Sequence, residues 1–65
     1  MKIYDLWFYA APGTAIYYRV KSKMQYIYHV DALNVVTLDR HYNIQEVSVD
    51  CLDGELCIII TIVER

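Results

Sequence analysis

Between Val47 and Ile62 two apolar-rich runs flank a single Asp53-Gly54 pair, and this arrangement limits what the chain can become more than any other stretch. A two-residue turn whose twist suits the flanking strands needs positive φ at both central residues, and Asp-Gly supplies that at little cost. The segment therefore reads as a β-hairpin. With Asp53-Gly54 as the loop, Cys51 faces Leu56, Val49 faces Ile58 and Val47 faces Ile60, so one side of the hairpin is wholly apolar. The other side of the last strand carries Cys57, Ile59, Thr61 and Val63. A strand that is apolar on both sides is covered on both sides.

Length turns that observation into an expectation about assembly. A chain of 65 residues forms one domain, spanning 1–65, and a domain this small buries only about 60% of its unfolded surface. At 57% hydrophobic residues there is more apolar material than one small core hides. A homo-oligomer is expected, with Cys57, Ile59, Thr61 and Val63 at its interface.

Working from the N-terminus, residues 2–10 alternate Tyr4, Leu6, Phe8 and Ala10 against Ile3, Asp5, Trp7 and Tyr9, with the aromatic and β-branched composition of a strand. Ala11-Pro12-Gly13-Thr14 follows as a turn, proline suiting its first central position and glycine its second, the order of a type II turn. A loop centred on Gly13 pairs Leu6 with Val20 and Phe8 with Tyr18 on one face, and Trp7 with Arg19 and Asp5 with Lys21 on the other. Residues 15–31 fit a second strand, long enough to need a bend, which falls at Ser22, the polar residue on the apolar side. A helix over about residues 14–30 is the competing reading, since Ile16, Tyr17, Val20, Met24, Ile27 and Tyr28 also share a helical arc. The segment's four tyrosines with isoleucine and valine favour strand. A turn at Asp31 to Leu33 leads into a short strand over residues 34–39, with Tyr28 opposite Val36 and Tyr26 opposite Leu38, and a polar loop at residues 39–43 precedes the C-terminal hairpin. The fold expected is all-β: a small antiparallel meander or half-open barrel of five to six strands. The alternative is α+β, with the 14–30 helix packed on an antiparallel sheet.

Few chemistries are open to these residues. Gly13 and Gly54 are the only glycines, so there is no glycine-rich phosphate loop, and neither a nucleophile elbow nor a CxxC pair is present. Asp50 and Asp53 straddle a turn, where solvation leaves them unsuited to paired acid/base work. His29, His41, Cys51 and Cys57 match no metal-ligand spacing. No enzyme activity, metal or other cofactor is expected. The longest unbroken apolar run, Cys57 to Ile60, is far short of the roughly 20 residues of a membrane helix. No secretory leader is recognisable and two cysteines make no disulfide scaffold, so a cytoplasmic protein with no membrane partner is expected.

Charge and aromatic residues point to binding. Through residue 30, Lys2, Arg19, Lys21 and Lys23 stand against Asp5 alone; beyond it Arg40 and Arg65 face Asp31, Asp39, Glu46, Asp50, Asp53, Glu55 and Glu64. Such segregation steers association with charged partners. In the hairpin register, Trp7, Tyr9, Tyr17, Arg19, Lys21 and Lys23 share one face, aromatic residues interleaved with cations. The function expected is a small oligomeric accessory module that binds or blocks another protein through aromatic and apolar surfaces. The alternative is a module that holds a nucleotide or small anion on the aromatic and basic face. Small size and tyrosine content suit an accessory protein of a phage or other mobile element.

Overall fold

The computed structural model describes all residues, 1–65. Helix α1 (Ile3–Tyr9) is followed by strand β1 (Ile16–Val20), a 3₁₀ turn (Lys21–Lys23) and the short strand β2 (Tyr28–His29). Helix α2 (Val35–His41) then leads into β3 (Tyr42–Leu52) and β4 (Glu55–Glu64). The strands form one sheet in the order β2-β1-β4-β3. β1 runs parallel to β4, while the β1–β2 and β3–β4 pairs are antiparallel. Both helices pack on one side of this mixed sheet, and no helix is long and apolar enough to cross a membrane.

The fold is therefore α+β, and the all-β antiparallel meander is overturned by a helix over residues 3–9, by a helix over residues 35–41 where a short strand over 34–39 was expected, and by the parallel pairing of β1 with β4. Residues 3–9 are helical because Ile3, Leu6, Trp7 and Ala10, spaced three, four and seven apart, form a stripe on the core. A helix of 7 residues is marginal alone. This one is held at its start by Asp39 of α2, whose Oδ1 accepts from the Ile3 N–H at 2.6 Å and whose Oδ2 accepts from the Tyr4 N–H at 2.8 Å. A carboxylate there satisfies two orphan donors and offsets the positive end of the helix dipole. Residues 35–41 form the second helix, burying Val35 and Leu38. Its entry is a reciprocal pair: Asp31 Oδ1 accepts from the Leu33 and Asn34 N–H groups, and Asn34 Oδ1 accepts from the Asp31 N–H. The helix expected as the alternative over residues 14–30 is not formed; that segment is β1, the 3₁₀ turn and β2.

With α1 helical, the pairing of Leu6 with Val20 and Trp7 with Arg19 does not exist. β1 instead lies between β2 and β4, Tyr17 opposite His29 and Ile59, Tyr18 opposite Tyr28 and Ile60. Tyr28 therefore meets Tyr18 rather than Val36. The turn at Ala11 to Thr14 forms as expected, with the Thr14 N–H donating to the Ala11 carbonyl at 3.0 Å and Gly13 at φ +85°, but it joins a helix to a strand. The predicted bend at Ser22 coincides with the 3₁₀ turn that ends β1.

The C-terminal hairpin keeps its predicted form. Asp53 and Gly54 have φ of +52° and +81°, and Cys51, Val49 and Val47 face Leu56, Ile58 and Ile60. A bulge between Ile44 and Glu46 shifts the alternation, so that Tyr42 and Ile44 before it and Val47 after it all lie on the helix side. The buried core on that side consists of Ile3, Ile16, Val30, Val35, Leu38, Ile60 and Ile62.

Candidate protein-binding face

The two helices are shorter than the hairpin they cover. Ile60 and Ile62, in the half of β4 beneath them, are fully buried. Sideways onto the edge strand β3 and towards the turn the same face runs out from under the helices: Val47, the ladder partner of Ile60, is 45% exposed, and Val49 and Leu56, nearer the turn, are 72% and 78% exposed. These three aliphatic side chains belong to the face that forms the core, and neither helix covers Val49 or Leu56.

The bare end of the sheet is continuous with a groove beside α1. Half-buried Ile58 forms the floor, and Leu6, Tyr9, Ala10 and Met1 form the wall of an apolar hollow of about 300 Å³. A second hollow shares Ile58 and Thr14 and carries the surface over Pro12 to Val49 and Leu56. Along α1 the aromatic residues that the helix turns outward pack on one another: Tyr4 stacks on Phe8 with ring centroids 5.6 Å apart, and Phe8 meets Tyr9 edge-on at 5.1 Å. Phe8 and Tyr9 remain exposed.

Electrostatically the hairpin is one-signed. From Tyr42 to Glu64 there is no lysine or arginine, while Glu46, Asp50, Asp53, Glu55 and Glu64 all carry carboxylates. Glu46 and Asp50 lie on the face opposite the exposed valines, opposite Thr61 and Cys57 in the ladder. Asp50 Oδ1 also accepts from the Cys51 N–H at 2.7 Å.

The residues expected to form an aromatic and basic face are divided by the sheet. Trp7 packs half-buried against the core and Tyr9 borders the groove, both on the helix side. Tyr17 and Arg19 lie on the opposite face, beside Ile59 and Thr61. Tyr17 meets the His29 ring edge-on at 5.1 Å, and Arg19 donates from Nε to Thr61 Oγ1 at 3.2 Å. Lys21 and Lys23 are exposed in the 3₁₀ turn. No surface brings the six together, because the proximity of the two sets depended on residues 2–10 being a strand.

The expected assembly surface is occupied from within. Cys57, Ile59 and Thr61 are 4%, 1% and 4% exposed in the single chain, and Val63 is half-buried. Central placement of β4 accounts for this: Tyr17 and Ser48 flank Ile59, Arg19 and Glu46 flank Thr61, and Met24 lies near Thr61 across a shallow hollow. Burial raises the Cys57 thiol pKa, with the nearby Asp50 and Cys51 adding to the effect. The exposed cysteine is Cys51. No group of three histidine, cysteine, aspartate or glutamate side chains converges on a metal-sized position.

Alternation places Val47, Val49 and Leu56 on the wholly apolar side of the hairpin, the side expected to be covered, and says nothing of how far the cover reaches. The available signal was length: Val49 and Leu56 lie towards the Asp53-Gly54 turn of a hairpin with strands of 11 and 10 residues, longer than the two 7-residue helices that cover it. Compared with protein-family models, with curated proteins and with solved structures, the chain matches none.

Proposed function

We propose that this chain is a non-catalytic protein-binding module, acting by docking onto or blocking a partner through the bare end of its hairpin and the adjoining groove and aromatic flank of α1. The observation that carries the reading is the exposure of Val47, Val49 and Leu56 on the face that elsewhere forms the core. Contiguous exposed apolar area of this kind marks interaction surfaces in soluble proteins. Rigid strands, a groove floored by Ile58 and aromatic residues at its border supply the shape and anchors that recognition uses. Self-association through Cys57, Ile59, Thr61 and Val63 is not part of this proposal, since the chain itself covers most of that surface.

Affinity capture from the native source tests the reading. The folded chain should retain a protein that Val49→Lys and Leu56→Lys baits, equally folded by circular dichroism, fail to retain. Identical capture by all three baits would overturn it.

A further inference from the structure

β3 is an edge strand, and the direction of its hydrogen-bonding groups can be read from its neighbours. On β4 the Ile58 N–H donates to the Ala15 carbonyl, on the side away from β3. The Val49–Ile58 pair is therefore a non-hydrogen-bonded pair, and the Val49 N–H and C=O point outward from the sheet. By the two-residue period the same holds for Val47 and Cys51. The outward Cys51 N–H is the one that Asp50 Oδ1 occupies. Val47 and Val49 have no such partner among the side-chain and loop hydrogen bonds. The bulge between Ile44 and Glu46 interrupts the edge on one side and the turn closes it on the other, leaving a straight stretch from Glu46 to Leu52. An open strand edge of this kind is a template for a further strand unless charge or a bulge guards it.

We propose that this edge takes up, as a fifth strand, an extended basic segment of a partner protein that alternates lysine or arginine with aliphatic residues. The proposal rests on the protein-binding reading above and names the chemistry of its partner. An added strand places alternate side chains on the two faces of the sheet. On the helix side its aliphatic residues extend the row of Val47 and Val49. On the opposite side its cations stand beside Glu46 and Asp50, in a hairpin that contains no cation of its own. Asp50 holds the Cys51 N–H in the free chain and yields it to an incoming carbonyl.

A second copy of this chain pairing through β3 brings carboxylates but no cation to the edge. Centred on Ser48, antiparallel pairing of two β3 strands brings the valines together but sets Glu46 against Asp50 of the second copy, twice by symmetry; centred on Val49 it sets Asp50 against Ser48 and Glu46 against Leu52, and leaves both carboxylates without a cation. Like charges directly opposite one another destabilise a strand pair. The same carboxylates that repel a copy select a basic strand.

The test uses the full chain and a fluorescent synthetic peptide of about seven residues alternating lysine and valine, long enough to span Glu46 to Leu52. Anisotropy should report binding that weakens about tenfold or more between low and high salt. The glutamate–valine counterpart should not bind, and Glu46→Lys with Asp50→Lys should reverse that preference. Backbone N-methylation of the peptide at alternate residues should abolish binding in one methylation phase and spare it in the other, and the Val47 and Val49 amides should become protected from exchange only with peptide present. Equal binding by both methylated peptides, or unprotected Val47 and Val49 amides in the complex, would overturn strand addition. So would a dimeric mass with those amides protected in the absence of peptide, which assigns the edge to a second copy. If Leu56→Lys loses a captured protein while charge reversal at Glu46 and Asp50 leaves that capture unchanged, the protein-binding reading stands and the basic-strand proposal falls.

Discussion

The two halves of the β3–β4 hairpin share strands, register and face, and differ only in what lies above them. Under the helices, Ile60 and Ile62 are the most deeply buried residues of the chain; nearer the turn, Val49 and Leu56 stand in solvent, and Val47, across from Ile60 on the edge strand, is partly open. Alternation made both halves look alike because it reports which side of a strand a residue takes, not how far the covering layer reaches. Two helices of 7 residues each, about 10 Å long at 1.5 Å per residue, cannot roof a hairpin whose strands run to 11 and 10 residues. The covered half makes the domain stable, and the bare half is left for a partner.

Substitutions along β4 should separate the halves most strongly. Ile59→Lys buries a charge at a position that the neighbouring side chains already seal, with Tyr17 and Ser48 as its ladder partners, and should abolish folding as followed by circular dichroism. Ile60→Ala should cost about 2–5 kcal/mol in urea unfolding, the range for removing a buried aliphatic side chain and leaving a cavity. Leu56→Ala and Val49→Ala, on the same face beyond the helices, should change stability by less than about 0.5 kcal/mol. Equal losses at both ends would mean that the bare half is covered after all.

The covering layer itself has a weak point. Asp39→Ala removes the acceptor for the Ile3 and Tyr4 N–H groups and should cost about 1–2 kcal/mol, in the upper part of the range for helix caps, because α1 is too short to persist without it. Trp7 fluorescence should then shift to the red before the global transition. Gly54→Ala, at φ +81°, should cost about 1 kcal/mol through backbone strain and act on the bare half without exposing Trp7.

How much of this was legible follows the distance over which each choice is made. The Asp53-Gly54 turn, the pairing of Val47, Val49 and Cys51 and the turn at Pro12-Gly13 are decided by residues close in sequence, and they read correctly. Residues 3–9 carry an alternating pattern and a helical one at once. The stripe of Ile3, Leu6, Trp7 and Ala10 was present beside Tyr4, Leu6, Phe8 and Ala10, and the aromatic content tipped the reading to strand. What decides for helix is Asp39, thirty-six positions from Ile3, together with a core that forms only when β1 pairs in parallel with β4. The candidate binding face was missed for the same reason. Its residues are ordinary core formers, and only the assembled helices show which of them are left uncovered.

The smallest effect concerns the covered half alone. Tyr18, opposite Ile60 on the helix side, stacks on Tyr28 with ring centroids 5.4 Å apart. Its pKa is raised above the ordinary value of 10.0 by burial first, then by the neighbouring Tyr28, Tyr42 and Asp31. The folded state therefore holds the phenolic proton at a pH where the unfolded chain has begun to release it. By linkage, stability falls wherever the folded state binds more protons than the unfolded one. The contribution from Tyr18 is intact below pH 10 and is lost as pH rises through the higher folded pKa. Urea midpoints should decline more steeply above pH 10 in the wild type than in Tyr18→Phe, and the two profiles should be parallel between pH 7 and 9. If the alkaline slope survives Tyr18→Phe unchanged, Tyr18 is as open to water as the residues of the bare half, and the roof over β1 is thinner than the helices make it.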